Sequence, residues 1–145
     1  MTILITFLLV LLMDQLTKYL VVENFVLGET MPLLKNVFHF TYVRNQGAAF
    51  GILQGQQWFF IVVTIAVLGA IIIFYKDLPL HNIWNRVALG LAIGGAIGNL
   101  IDRVRLGYVI DFIDLRVWPV FNIADSSVVI AVAIFSYWLL IIDSK

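Results

Sequence analysis

Trp58-Phe-Phe-Ile-Val-Val-Thr-Ile-Ala-Val-Leu-Gly-Ala-Ile-Ile-Ile-Phe-Tyr75 runs without a single charged residue. It opens on aromatic rings suited to the headgroup level of a bilayer. An apolar run of this length reads as a membrane-spanning helix. Lys76-Asp-Leu-Pro-Leu-His81 then reads as a short polar turn, because Pro79 and the charges stop the pattern.

Three further runs share that character. The first, Ile3 to Val22, is interrupted by Asp14, Gln15 and Lys18. In a helix, Asp14 and Lys18 fall at i and i+4 and meet on one face. A cleaved signal peptide is disfavoured there, since a basic leading region and a small-x-small cleavage site are missing. Val87 to Ile101 carries Gly90, Gly94 and Gly98 at the four-residue spacing that lets membrane helices approach closely. Ser126 to Ile142 is uncharged and bounded by Asp125 and Asp143. Four spans place both termini on one side.

Composition agrees. The chain is 62% hydrophobic and 12% charged, against roughly a quarter charged in soluble domains. At 145 residues, four spans of about 20 residues leave no room for a separate soluble domain, so 1–145 is expected to be a single membrane domain. Net charge is zero and the cations are scattered singly, which excludes a basic stripe for nucleic acid. Cysteine is absent from the sequence, so disulfide, thiolate and Cys-ligated metal chemistry are excluded.

Between the first two spans, Val37-Phe-His-Phe-Thr-Tyr-Val-Arg44 alternates, with Phe38, Phe40 and Tyr42 on one face of a strand. An open sheet edge is not viable in lipid, so this piece is expected at the interface. The charge rule does not orient the chain. With a cytoplasmic N-terminus, Lys76, Arg86 and Lys145 lie inside, and Lys18, Lys35, Arg44, Arg103, Arg105 and Arg116 lie outside. Taken alone, that count favours the reverse. Arg103 beside Asp102 and Arg116 near Asp114 can be held by partners instead, which weakens the count.

The chemistry gathers late in the sequence. Gly98-Asn-Leu-Ile-Asp-Arg103 ends the third run and puts Asn99, Asp102 and Arg103 on neighbouring faces. A bland account has Asp102 and Arg103 snorkelling while Asn99 bonds another helix. In an extended Tyr108 to Leu115, Asp111 and Asp114 point to opposite faces; in a helix they share one. Asn122 and Asp125 stand at i and i+3 at the mouth of the last run, where capping alone would explain them. If the third and fourth spans are antiparallel neighbours, Asp111 and Asp125 lie at one level. Two carboxylates brought close can share a proton, the working state of an aspartic protease. A His-Glu-x-x-His helix and a Gly-x-Ser-x-Gly elbow are both absent from the sequence. His39 and His81 fall in different connections and read as interfacial. A small proton or cation transporter would use the same acids as an ion path, and a structural membrane adaptor would explain the glycines by helix pairing. No inverted repeat supports the first, and the second leaves the clustered Asn, Asp and Arg unexplained.

Asp14-Gln-Leu-Thr-Lys18, Asn45-Gln-Gly-Ala-Ala-Phe-Gly51, Gly98-Asn-Leu-Ile-Asp-Arg103, Val109-Ile-Asp-Phe112 and Phe121-Asn-Ile-Ala-Asp-Ser126, in that order, resemble the motifs of the lipoprotein (type II) signal peptidases of bacteria. The resemblance spans nearly the whole chain. It implies an all-α membrane protein of four transmembrane helices with a small interfacial β-sheet on the outer side. The implied catalytic pair is Asp111 and Asp125, without metal or other cofactor, and Asp111 is preferred to Asp114 because it precedes the Phe of the Val-Ile-Asp-Phe match. Asn45, Asn99, Arg103 and Asn122 match positions lining the substrate and inhibitor pocket, while Asp14, Lys18, Gly47 and Asp102 take supporting parts. The implied substrate is a prolipoprotein whose cysteine carries diacylglycerol, cut on the N-terminal side of that cysteine. Membrane lipids and the family's cyclic peptide inhibitors are the other implied partners, with nucleic acid excluded and a monomer expected. The implied place is the bacterial cytoplasmic (inner) membrane, with both termini cytoplasmic and the site near the outer face. The loop from Asp111 to Asp125 is shorter than the family pattern suggests, and the tail after Ile142 lacks a basic end.

Overall fold

The computed structural model describes residues 1–47 and 53–142. Positions 48–51 of the Asn45–Gly51 segment, Asp143 and the tail lie outside the described residues. Within them the order is α1 (Thr2–Asn24), β1 (Thr30–Leu34), β2 (Phe38–Asn45), α2 (Gln57–Ile73), a 3-10 turn (Tyr75–Asp77), α3 (Ile83–Leu106), β3 (Val109–Asp114) and α4 (Ile123–Tyr137), which a π turn (Trp138–Ile142) continues. The protein is thus mostly helical with a small antiparallel sheet. By length and composition α1, α3 and α4 with its extension can each cross a membrane, whereas α2 has 17 residues and is the shorter apolar helix.

α3 outruns its hydropathy at both ends. Asn82 starts it by accepting a hydrogen bond from the Trp84 amide at 2.9 Å. Gly107 ends it at φ 77°, a left-handed cap whose N–H reaches the Arg103 carbonyl at 3.1 Å. The expected span, Val87 to Ile101, is therefore too short. Polar residues interrupt the hydropathy without interrupting the helix, because they have partners: buried Asn85 donates to the Pro79 carbonyl at 2.8 Å.

The glycine stripe seats α1. A Cβ on Gly90 would lie 2.7 Å from Thr6 Cβ, one on Gly94 2.8 Å from Val10 Cβ, and one on Gly98 2.6 Å from Asp14 Oδ2. Both series rise together, so α1 and α3 run parallel. Gly95 faces the other way, where its Cβ would meet Val128 Cγ2 at 2.8 Å and the Ala124 backbone. α3 is thus the central helix, with the start of α4 beside its last turns. His81 meets Trp138 edge-on with centroids 5.6 Å apart, which brings the end of α4 back to the beginning of α3.

The sheet has the order β1-β2-β3 and is antiparallel throughout. β2 begins at Phe38 and ends at Asn45, one residue later at each end than the alternation suggests, and its register with β3 shifts between Phe40 and Val43. Tyr42 nevertheless joins Val21, Ile110 and Phe112 in a core against which Phe40 packs. His39 lies within β2, and both its ring nitrogens are buried without a hydrogen-bond partner among the described residues. β3 is extended, which settles the open choice: Asp111 and Asp114 point to opposite faces. A further bridge, Ile113 to Phe121, returns the chain to the mouth of α4.

Candidate functional site

Three elements converge on one amide. Asn122 is the N-cap of α4 and forms a capping box: its Oδ1 accepts from the Asp125 amide at 2.9 Å, and Asp125 Oδ2 accepts from the Asn122 amide at 3.3 Å. Capping therefore does explain Asn122 and Asp125 locally, but it leaves the Asn122 NH2 group free to reach outward. That group donates to Asp111 Oδ1 of β3 at 2.7 Å and to Asn99 Oδ1 of α3 at 3.1 Å. Asn99 in turn donates through Nδ2 to Asp125 Oδ1 at 2.7 Å. Asn45, at the end of β2, donates to Asp111 Oδ2 at 2.9 Å, and its own Oδ1 accepts from the Gly47 amide at 2.9 Å. Both carboxylates are thus held by neutral amides.

Asp111 and Asp125 line the same cavity of about 470 Å³, with Asn45, Asn99 and Arg103 on its polar side and Val63, Val67 and Val128 among its apolar walls. Asp111 is 1% exposed. Burial first, and then the charge of Asp125, push its carboxyl from an ordinary 3.8 up to about 7, against the pull of the Asn45 and Asn122 amides and Lys18. Asp114 behaves oppositely. Burial raises it, but donors from Thr41 at 2.7 Å and from Arg116 at 2.8 and 2.9 Å outweigh that and hold it below its ordinary value. It stands on the far face of β3 and takes no part in the cavity.

Asp102 is buried and Arg103 turns inward, so neither snorkels as the bland account has it. The Arg103 guanidinium lies over the Phe60 ring at 4.9 Å and reaches the Gly47 carbonyl at 3.5 Å. Asp102 belongs instead to a buried cluster under the cavity. Lys18 Nζ contacts Asp14 Oδ2 at 2.8 Å, Asp102 Oδ2 at 2.9 Å and Asn99 Oδ1 at 3.0 Å. Asp14 Oδ1 accepts from the Ala124 amide at 2.9 Å, in the first turn of α4. Gln15 Nε2 lies 3.2 Å from both Asp14 and Asp102 and from the Gly98 carbonyl. The site residues expected from sequence are therefore all brought together. The sequence assigns no role to Gln15 or Phe60: Gln15 stands between Asp14 and Lys18 as an ordinary polar neighbour, and no pattern marks a ring that lies under an arginine from another helix.

Among the described residues no group of three His, Cys, Asp and Glu side chains is placed to hold a metal ion. What the arrangement can do is move protons: one carboxyl is about half-protonated near pH 7, a second stands across an amide bridge from it, and an apolar cavity limits competing water.

A family model described as Signal peptidase (SPase) II matches residues 6–141. A lipoprotein signal peptidase of Halothermothrix orenii is 50% identical over 135 residues, 93% of this chain and 92% of that protein. One of Moorella thermoacetica is 49% identical over 134 residues, 92% of this chain and 89% of its own. A solved structure described as a bacterial membrane enzyme superposes with a TM-score of 0.90 at 40% identity, covering 96% of this chain and 87% of that one.

Proposed function

Since this chain belongs to the signal peptidase II family, we propose that Asp111 and Asp125 are the catalytic pair of an aspartic endopeptidase. Its substrate is a bacterial prolipoprotein bearing diacylglycerol on cysteine, and it cuts on the N-terminal side of that residue. One observation carries this reading. Two carboxyls on different elements face one cavity, linked through the Asn122 and Asn99 amides, and Asp111 is poised to be half-protonated near pH 7.

The chemistry needs one proton on the pair. The ionised carboxylate takes a proton from water as the water oxygen bonds to the scissile carbonyl carbon, and the other carboxyl gives its proton to the carbonyl oxygen. The tetrahedral species then collapses: the C–N bond breaks, the departing nitrogen receives the proton taken from water, and the hydroxyl returns the other. The pair ends singly protonated, ready for another turnover. Asn45, Asn99, Asn122 and Arg103 supply donors and acceptors for a peptide backbone stripped of water. No metal or organic cofactor takes part. Cyclic peptide inhibitors of the family would occupy the same groups.

The setting follows. All four helices span the bilayer in one domain, 1–145. α2 rises about 26 Å, close to the roughly 30 Å hydrocarbon thickness. The sheet sits at the outer face with the site, both termini are cytoplasmic, and the protein acts as a monomer in the bacterial inner membrane. The charge count loses its force here. Lys18 is buried in ion pairs, Arg116 is bonded to Asp114 and Arg103 lies over Phe60, so these three are held by partners rather than by topology. A lipidated substrate approaches sideways with its acyl chains still in the bilayer. A transporter or an adaptor would leave the amide-bridged carboxyls without a use.

The test is signal-peptide release from a diacylglyceryl-modified prolipoprotein by the purified protein. Asp111→Asn and Asp125→Asn should each abolish release while the protein stays folded, and Asp114→Asn should retain most of it. Full activity in Asp125→Asn would sink the aspartic mechanism.

A further inference from the structure

Lys18 is 2% exposed, yet nothing in the proposed reaction uses it. An ammonium carries three donors and no acceptor. Lys18 uses them on Asp14, Asp102 and Asn99 at 2.8, 2.9 and 3.0 Å. The last contact has a consequence for Asn99. A side-chain amide can be turned over with little change in shape, exchanging its oxygen and nitrogen. Facing an obligate donor, only the oxygen is tolerated. The Asn99 oxygen is therefore fixed toward α1, where Asn122 Nδ2 also meets it at 3.1 Å, and its NH2 is fixed toward Asp125 Oδ1 at 2.7 Å.

We propose that Lys18 is a positioning residue for the proposed dyad, locking the Asn99 amide with its NH2 toward Asp125. This rests on the reading of Asp111 and Asp125 as the catalytic pair. Without the ammonium only the Asn122 NH2 at 3.1 Å still holds the Asn99 oxygen, so the turned amide becomes populated, and in that form its oxygen faces a carboxylate oxygen. Two acceptors in contact repel unless a proton sits between them, so Asp125 would take one up. A pair that is protonated on both members has no base to activate water. The charged and titratable groups packed around Asn99 are Asp14 and Lys18 from α1, Asp102 and Arg103 from α3, Asp111 from β3 and Asp125 from α4. From β2 the cavity receives the neutral Asn45, and from α2 it receives Val63 and Thr64.

Lys18→Met alone strands two buried acids, so the charge-balanced Lys18→Met/Asp102→Asn is the variant to make. Its kcat for a lipidated prolipopeptide should fall about tenfold or more with KM within about twofold. The acid limb of its pH profile should move toward neutral. Adding Asn99→Ala to that background should change little, whereas Asn99→Ala in the parent should carry most of the loss. Equal Asn99→Ala penalties in both backgrounds would overturn the proposal. So would a fall in activity that merely tracks thermal stability with an unmoved pH profile. If the balanced variant does not fold, Asn99→Asp decides. It still accepts from Lys18 and Asn122 but has no NH2 for Asp125, so kcat should fall with KM kept, and parental kcat would overturn the idea. Failure of the dyad reading is separate, because it shows as activity in Asp111→Asn or Asp125→Asn.

Discussion

At Asp111 the chain holds a carboxyl whose proton leaves near pH 7, against 3.8 when unfolded. The sign follows from linkage. Between about pH 4 and 7 the folded protein keeps a proton that the unfolded chain has released, so this group's contribution to stability is full below about pH 4 and falls as pH rises to about 7. Melting temperatures in detergent across that range should fall with pH, and Asp111→Asn should remove that part of the slope. Activity should likewise fall on the alkaline side as the pair loses its shared proton, with an apparent pKa belonging to the pair. Arg103 gives a second expectation. A hydrogen bond from a charged donor is worth about 1.5–3 kcal/mol, so Arg103→Ala should weaken both substrate cleavage and binding of a labelled cyclic peptide inhibitor about tenfold or more. Asp111→Asn should lose cleavage yet keep most inhibitor affinity. Asp111, Asp125 and Arg103 were legible because polar residues gathered at the edges of apolar runs mark a site, although capping or snorkelling serves Asp125 or Arg103 singly and the preference for Asp111 over Asp114 rests on the family motif. Phe60 was not, since an apolar ring in an apolar helix carries no mark of what lies above it.

Among the elements, α3 decides the packing, and its glycines make a clean contrast. Alanine for glycine inside a helix gains about 1 kcal/mol of propensity, while overpacking costs about 1–3 kcal/mol. At Gly94 the new methyl meets Val10 Cβ at 2.8 Å and the Phe7 carbonyl at 3.1 Å, neither of which can swing aside, so overpacking wins. At Gly69 in α2 a Cβ meets nothing within 4 Å, so propensity wins. Gly94→Ala should lower the melting temperature and Gly69→Ala should leave it level or raise it. The helices were readable from hydropathy because lipid-facing runs must be apolar. Their ends were not, because Asn85, Asp102 and Arg103 break the hydropathy while their partners on other segments keep the helix intact. β1 escaped notice for a related reason. Every residue of Thr30–Leu34 is exposed and Pro32 stands among them, so only the pairing with β2 makes it a strand.

Taken whole, the molecule places its acids so that, among the described residues, the side-chain hydrogen bonds to the proposed pair come from the amides of Asn45, Asn99 and Asn122. Activity should therefore survive exhaustive chelation, and loss on EDTA with recovery on one divalent ion would put the enzyme in another mechanistic class. The order in which the parts are made also matters. Asp14 lies in the first helix, but the Ala124 amide it holds lies in the last, 110 residues further on. A ribosome that has delivered α1, the sheet's first strands, α2 and α3 has supplied Lys18, Asn45 and Asn99, but neither acid of the pair nor the helix end that Asp14 caps. Two fragments divided in the Lys76–His81 turn should each be inert when expressed singly and regain activity together, as release of signal peptide from a lipidated substrate would show. A protease assembled this late is silent throughout its own insertion, and its first competent moment comes only when nearly all of it is already in the membrane.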